Sequence, residues 1–171
     1  MSVWFDFDEV DAFTVGALGQ PGSRTFFLQA RRGTTRVTVK CEKQQASAIA
    51  EYLRRVLNDL PDPTEKPVPG AMELATPVEA AFVLGPVGLG YDRSTDKVLV
   101  QLEEVVELDE NGDPVEDDDE LERGHLRVFI TRSQAAAFCE HTESVVSAGR
   151  PACRWCTRPI DPEGHACPRM N

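Results

Sequence analysis

Apolar and polar positions along this chain follow two different periods, and the switch from one to the other happens twice. Val37-Thr38-Val39-Lys40-Cys41 alternates one for one, as a half-buried strand does. It runs straight into Ala46, Ile49, Ala50, Leu53, Val56, Leu57 and Leu60, whose spacing of three and four predicts an amphipathic helix. Pro61 and Pro63 stop that helix. The same event recurs 89 residues later. Leu126, Val128 and Ile130 alternate, and Ala135, Phe138, Cys139, Val145 and Val146 form a second helical stripe. Thr131 with Gln134 is a capping box for it, and Gly149 is placed to end it. Across the offset Lys43 corresponds to Arg132, Gln45 to Gln134, Ala46 to Ala135, Ala48 to Ala137, Ile49 to Phe138 and Glu51 to Glu140. These matches, with the strand–helix junction in register, predict an internal duplication.

Two more strand-like runs precede each junction. In the first copy they are 12–18 and 25–30, separated by the turn Gln20-Pro21-Gly22-Ser23, with a further turn at Arg32-Gly33. In the second copy 81–89 and 97–106 flank a turn at 92–96. Each half reads strand–strand–strand–helix. The expectation is an α+β domain over residues 1–148, made of antiparallel sheet with helices on one side. Repeat 1 runs over about 3–60 and repeat 2 over about 79–148. The proline-rich stretch within 61–78 is the linker. An acidic loop fills 103–122, with twelve carboxylates between Glu103 and Glu122, and reads as a solvated, mobile insertion. A calcium site there is disfavoured, because Gly112 falls wrong for a twelve-residue calcium loop.

Charge sharpens this division. The net charge is −11, yet residues 1–60 hold eight basic and seven acidic side chains and residues 61–148 hold six and twenty. The acidity therefore belongs to the middle of the chain and counts against non-specific nucleic-acid binding. No apolar run approaches the ~20 residues that span a bilayer. Residues 1–6 carry no basic n-region or h-region, so the expectation is a soluble cytoplasmic protein.

The chemistry gathers in residues 149–171, a segment too short and too poor in apolar residues to build its own core. Cys153-Arg154-Trp155-Cys156 lets two thiolates reach one ion from a tight turn, and His165-Ala166-Cys167 offers a second pair. The stretch between, Pro159 to Gly164, can fold back as a short hairpin. Cys153, Cys156, His165 and Cys167 together predict a closed, structural Zn²⁺ site, a small zinc knuckle. His165 is the least standard ligand, and His141 is the substitute. A redox dithiol at Cys153 and Cys156 is the competing reading, but it wants a helix starting at the first cysteine, and Pro159 and Pro162 argue for loop. Cys41 and Cys139 sit in apolar patterns and read as small buried hydrophobes. Trp155 reads as a lid over the metal or as a contact for a partner.

Other candidates carry less. Gly85, Gly88, Gly90 and Tyr91 form a glycine-rich stretch, but strand-like sequence continues on both sides, so the glycines read as letting a strand bend or bulge. Asp6, Asp8, Glu9 and Asp11 read as a solvated face beside Trp4, Phe5 and Phe7. His125 flanks the acidic loop without an identifiable partner, and no nucleophile with a recognisable base stands out.

Taken together, Phe5-Asp6 to Gly19, Gly88-Leu89-Gly90-Tyr91-Asp92 and the terminal Cys-x-x-Cys with Asp161-Pro162-Glu163-Gly164-His165-x-Cys167-Pro168-Arg169-x-Asn171 resemble a family of actinobacterial proteins. It is an uncharacterised family, a domain of unknown function sometimes labelled a repeat protein. The resemblance implies a bacterial cytoplasmic setting and genes encoded beside histidine-phosphatase-like and phosphatidylinositol-kinase-like proteins. It implies no catalytic residues. Three functions follow for testing. The first is a non-catalytic, zinc-containing binding or adaptor protein with a protein partner. The second is a phosphate-ligand enzyme or sensor using Gly85 to Tyr91 with Arg93 or Lys97. The third is nucleic-acid binding through the knuckle and Arg150, Arg154, Arg158 and Arg169.

Overall fold

The computed structural model describes residues 4–67, 69–112, 115, 123–149, 151–160 and 164–170. Seven strands form one sheet: β1 (Trp4–Phe7), β2 (Ala12–Leu18), β3 (Thr25–Arg32), β4 (Thr35–Cys41), β5 (Ala80–Asp92), β6 (Lys97–Glu104) and β7 (His125–Thr131). Helix α1 (Lys43–Asn58) follows β4 and helix α2 (Arg132–Ser147) follows β7, so strand–strand–strand–helix occurs twice in chain order. A single turn of 3-10 helix, Pro69–Met72, lies in the connection between the halves.

The spatial order is β1-β7-β6-β5-β4-β3-β2. Within each half the strands pair antiparallel, β2 with β3 and β3 with β4, then β5 with β6 and β6 with β7. The expectation of antiparallel sheet throughout needs correction at two seams: β4 pairs with β5 in parallel, and so does β1 with β7. Hairpins force antiparallel pairing, whereas the long passage from β4 through α1 to β5 leaves direction free.

The strand order also dictates curvature. β1 and β2 stand at opposite ends of the sheet, yet only residues 8–11 join them. A flat sheet of seven strands would hold its edges roughly 29 Å apart, and five Cα steps cover at most about 19 Å. The sheet is therefore curled, and α2 helps bridge its two edges. Phe138 of α2 stacks on Phe13 of β2 with ring centroids 5.0 Å apart, and Gln134 donates to the Val10 carbonyl at 2.8 Å.

One apolar face of this sheet meets both helices in a single core. Val15, Leu28, Val39, Val100, Leu126, Val128 and Ile130 are fully buried there with Leu53, Ala135 and Phe138. In β5 the alternation would lose register, but a bulge between Leu84 and Val87 resets it, so Leu84, Leu89 and Tyr91 all lean on the core. The helices run antiparallel, with Arg132 at the start of α2 donating to the Pro61 carbonyl beyond α1. The Cys139 thiol donates to the Ala50 carbonyl at 3.3 Å, and Arg54 reaches Glu143 at 2.9 Å. Both pairs are separated by 89 residues, the same offset as the sequence matches. Each helix also opens the same way: Gln45 accepts the Glu42 N–H at 2.8 Å and Gln134 accepts the Thr131 N–H at 2.9 Å.

The other face of β2–β4 is covered by the connection between the halves. Thr14, Gln29 and Thr38 are buried polar residues in register across the three strands. Thr14 donates to the Met72 carbonyl at 2.6 Å, and Gln29 both donates to the Ala75 carbonyl and accepts the Ala75 N–H. Arg31 and Arg36 grip the carbonyls of Ala71 and Thr76. Leu74 packs onto Gly16, where a Cβ would lie 2.4 Å from the Leu74 Cγ. Residues 71–76, within the stretch read as a linker, are thus a sheet-covering strap. Of the acidic insertion, 105–112 and 115 are described, with Gly112 and Val115 donating to the carbonyls of Asp109 and Glu107. The run of five acids at 116–120 lies outside the described residues.

Candidate metal centre

The C-terminal segment has a small hydrogen-bonded frame that explains how four distant ligands meet. Ala152 bridges Pro159 antiparallel, Ile160 donates to the Pro151 carbonyl and Cys153 to the Arg158 carbonyl, each bond at 2.8 Å. Inside this hairpin the chain turns tightly. Thr157 donates to the Cys153 carbonyl at 2.8 Å and itself adopts φ of 62°, while the Trp155 N–H points at Cys153 Sγ from 3.5 Å. The turn sets both thiols of the two-residue spacing on one side. Gly164 takes φ of 92°, a conformation that suits glycine, just before His165. Of the hairpin expected over 159–164, residues 161–163 lie outside the described residues, as do Arg150 and Asn171.

Cys153, Cys156, His165 and Cys167 each offer one ligand atom, and these atoms all lie within 4.8 Å of one another. Cys153 Sγ and Cys167 Sγ are 3.9 Å apart, and Cys156 Sγ lies 3.2 Å from His165 Nε2. Two Zn–S bonds of about 2.3 Å at a tetrahedral angle separate their sulfurs by about 3.8 Å. The spacing, the three-sulfur, one-nitrogen donor set and the burial of Cys153 and Cys167 all fit a zinc ion. Such an ion would find four protein ligands, a closed shell with no position left for a substrate. The N–H groups of Cys156 and Trp155 hold the Cys153 thiol below its ordinary pKa, favouring the thiolate a metal needs.

The remaining cysteines behave differently. Burial pushes Cys41 up to about 12 and Cys139 up to about 11, so both stay neutral thiols packed in the core. His141, the substitute ligand, sits on α2 beside a recess lined by Pro63, Lys66 and Met72, apart from the four-ligand cluster. His125 has a partner after all: its ring stacks on Trp4, centroids 3.8 Å apart and 11° from parallel. Periodicity could not show that contact, because it depends on the parallel pairing of β1 with β7.

Gly85, Gly88, Gly90 and Tyr91 lie inside β5, and Arg93 sits in the exposed turn that follows. Gly85 relieves a close approach, since a Cβ there would stand 2.6 Å from the Val105 backbone, whereas nothing lies within 4 Å of a Cβ on Gly90. Tyr91 donates to Asp96, which also takes Arg132 at 2.9 Å. Asp6, Glu9 and Asp11 go to separate partners, namely Arg127, Arg32 and the Gly33 N–H. Trp155 is half exposed, with the Arg154 guanidinium 5.0 Å above its ring.

Among the described residues no helix is long and apolar enough to cross a membrane. No curated protein and no solved structure matches this chain. Residues 5–167 match the model of the family described as "Protein of unknown function (DUF3090)", a span that takes in both halves of the sheet and all four candidate metal ligands, and the chain belongs to that family.

Proposed function

We propose that this protein is a non-catalytic, zinc-containing binding or adaptor protein whose metal-ordered C-terminus meets a protein partner. The observation that carries this reading is the placement of Trp155. It sits between two of the four candidate ligands in sequence and is half exposed, while Cys153 and Cys167 are buried. Large aromatic side chains on rigid supports dominate the energetics of protein interfaces, and a structural metal is an efficient way to make a loop this short rigid. The exposed ring tells against a simple lid over the ion. The duplicated strand–strand–strand–helix domain would act as the platform, in a cytoplasmic setting where thiols stay reduced. The resemblance to an actinobacterial family suggests where to look for the partner, among the phosphatase-like and kinase-like proteins encoded beside its members.

The test is affinity capture by zinc-loaded protein, with Trp155→Ala and Cys156→Ser as controls. A partner retained by the wild type and lost from both variants supports the proposal. Partner binding that survives both substitutions, or a catalytic activity that co-purifies to homogeneity, removes it.

A further inference from the structure

A recess of about 400 Å³ opens where the start of α1 meets the end of α2, and its walls include Arg24, Lys40 and Lys43. We infer that this recess binds a phosphate-bearing anion, a small phosphorylated molecule. The site is separate from the zinc centre and from the glycine-rich stretch of β5.

Three features converge on that assignment. Two of the cations, Arg24 and Lys43, are aimed at a common point. A Cβ on Gly149 would stand 3.2 Å from Arg24 Nη2 and 3.8 Å from Lys43 Nζ, so the glycine leaves open the space that both charges face. Arg24 is held in place by the rest of its guanidinium, with Nη1 donating to the Val145 carbonyl at 2.9 Å and the plane 5.0 Å over the Phe26 ring. Its second nitrogen is thereby turned toward the recess.

Among the described residues the cations also form no ion pair, in a protein whose net charge is −11. Lys40 and Lys43 donate no hydrogen bond among those residues either. Glu42 lines the same recess, and no ion pair joins its carboxylate to any of the three. Favourable placement near the C-terminal carbonyls of α2 accounts for Arg24 Nη1. It does not account for Lys40, or for a lysine that reaches no carbonyl.

The second half of the chain supplies the comparison. Lys43 is the first residue of α1, and Arg132 is the first residue of α2. Arg132 is fully engaged by Asp96 and by the Pro61 carbonyl. The corresponding cation of the first half has no such partners, and the N-terminus of a sixteen-residue helix adds its own positive end beside it. Phosphate oxygens suit this set, because a fixed guanidinium supplies directed donors and two mobile ammonium groups supply charge. The volume fits a small molecule, and the acidic field of the chain disfavours a polyanion.

The test is isothermal titration of the full, zinc-loaded chain with inorganic phosphate and with pyrophosphate at constant ionic strength. The variants are Lys40→Gln/Lys43→Gln, Gly149→Leu to fill the recess, and Lys66→Gln as control, since Lys66 sits elsewhere and pairs with Glu140. Saturable one-to-one binding is expected, tighter for pyrophosphate, weakened about tenfold or more by the double variant. It should be lost in Gly149→Leu and unchanged in Lys66→Gln, with thermal melting showing all three folded. No saturable binding at millimolar pyrophosphate overturns the site. So does equal affinity in the wild type and the double variant, equal loss in the control, or binding of an oligonucleotide without pyrophosphate.

Discussion

Replacing Cys156 by Ser separates the two sources of order in this protein. The substitution removes one of four ligand atoms gathered within 4.8 Å and leaves His165 Nε2 without the sulfur now 3.2 Å away. Structural zinc in isolated knuckles contributes roughly 10–16 kcal/mol at neutral pH. The backbone of this segment is otherwise held by the short hairpin ladder at 151–160 and a turn from Cys167 to Met170. Ordering a residue costs about 1–2 kcal/mol, so over some twenty residues that ladder alone falls well short. The segment is expected to lose its zinc and its order together. Among the described residues the core cluster, by contrast, reaches no further than Val146, so the sheet and helices keep their own packing.

Hydrogen exchange read by mass spectrometry, with metal content on the same samples, follows both parts at once. Wild type should carry about one zinc per chain, with slow exchange at Cys153, Thr157 and Ile160, whose amides are all bonded. In the variant those amides should exchange at the rate of unfolded peptide. The main melting transition should stay within about 2 °C, below the shift expected for a 1 kcal/mol loss in a domain this size. A variant that loses the cooperative melt of the whole chain would show that the C-terminal segment is part of the core. A variant that keeps its zinc would show that Cys156 is not a ligand.

Three further outcomes follow from the packing. Gly16→Val should destabilise the protein by about 1–3 kcal/mol in urea unfolding, because Leu74 fills the space of the new side chain; an unchanged midpoint would mean the 71–76 strap is not held there. Stability should fall as pH rises above about 8.5, where the unfolded chain sheds thiol protons that folded Cys41 holds to about 12 and Cys139 to about 11. The folded state then binds more protons, so the loss has a limiting slope of about 1.4 kcal/mol per pH unit per thiol, and Cys41→Ala should flatten it. Gln134→Ala should cost about 1–2 kcal/mol, since the side chain both caps α2 and ties it to the Val10 carbonyl; a loss equal to that of an exposed helix residue would refute the tie.

What could be read from the sequence was whatever local periodicity encodes. Both helices, their preceding strands and the hairpins within each half follow from patterns a few residues long. The four candidate ligands follow from spacing because a metal site imposes chemistry on sequence directly. What escaped depends on encounters between distant segments. The α2 stripe of Ala135, Phe138, Cys139, Val145 and Val146 omits Thr142, yet that residue is buried with its hydroxyl bonded to the Phe138 carbonyl at 2.6 Å, so a polar residue occupies a core position. Thr14, Gln29 and Thr38 are polar residues on a strand face that the strap from Ala71 to Thr76 turns into an interior, which no local pattern signals. The parallel seams had no local signal either, since nothing in β4 or β5 alone specifies the direction of its neighbour. Lys43 shows the same limit from the other side. The sequence aligns it with Arg132 as an equivalent position, while their surroundings make one cation paired and the other unpaired. Chemistry that comes from a residue type and its spacing is visible in a single chain. Chemistry that comes from a missing ion pair appears only once the chain is folded.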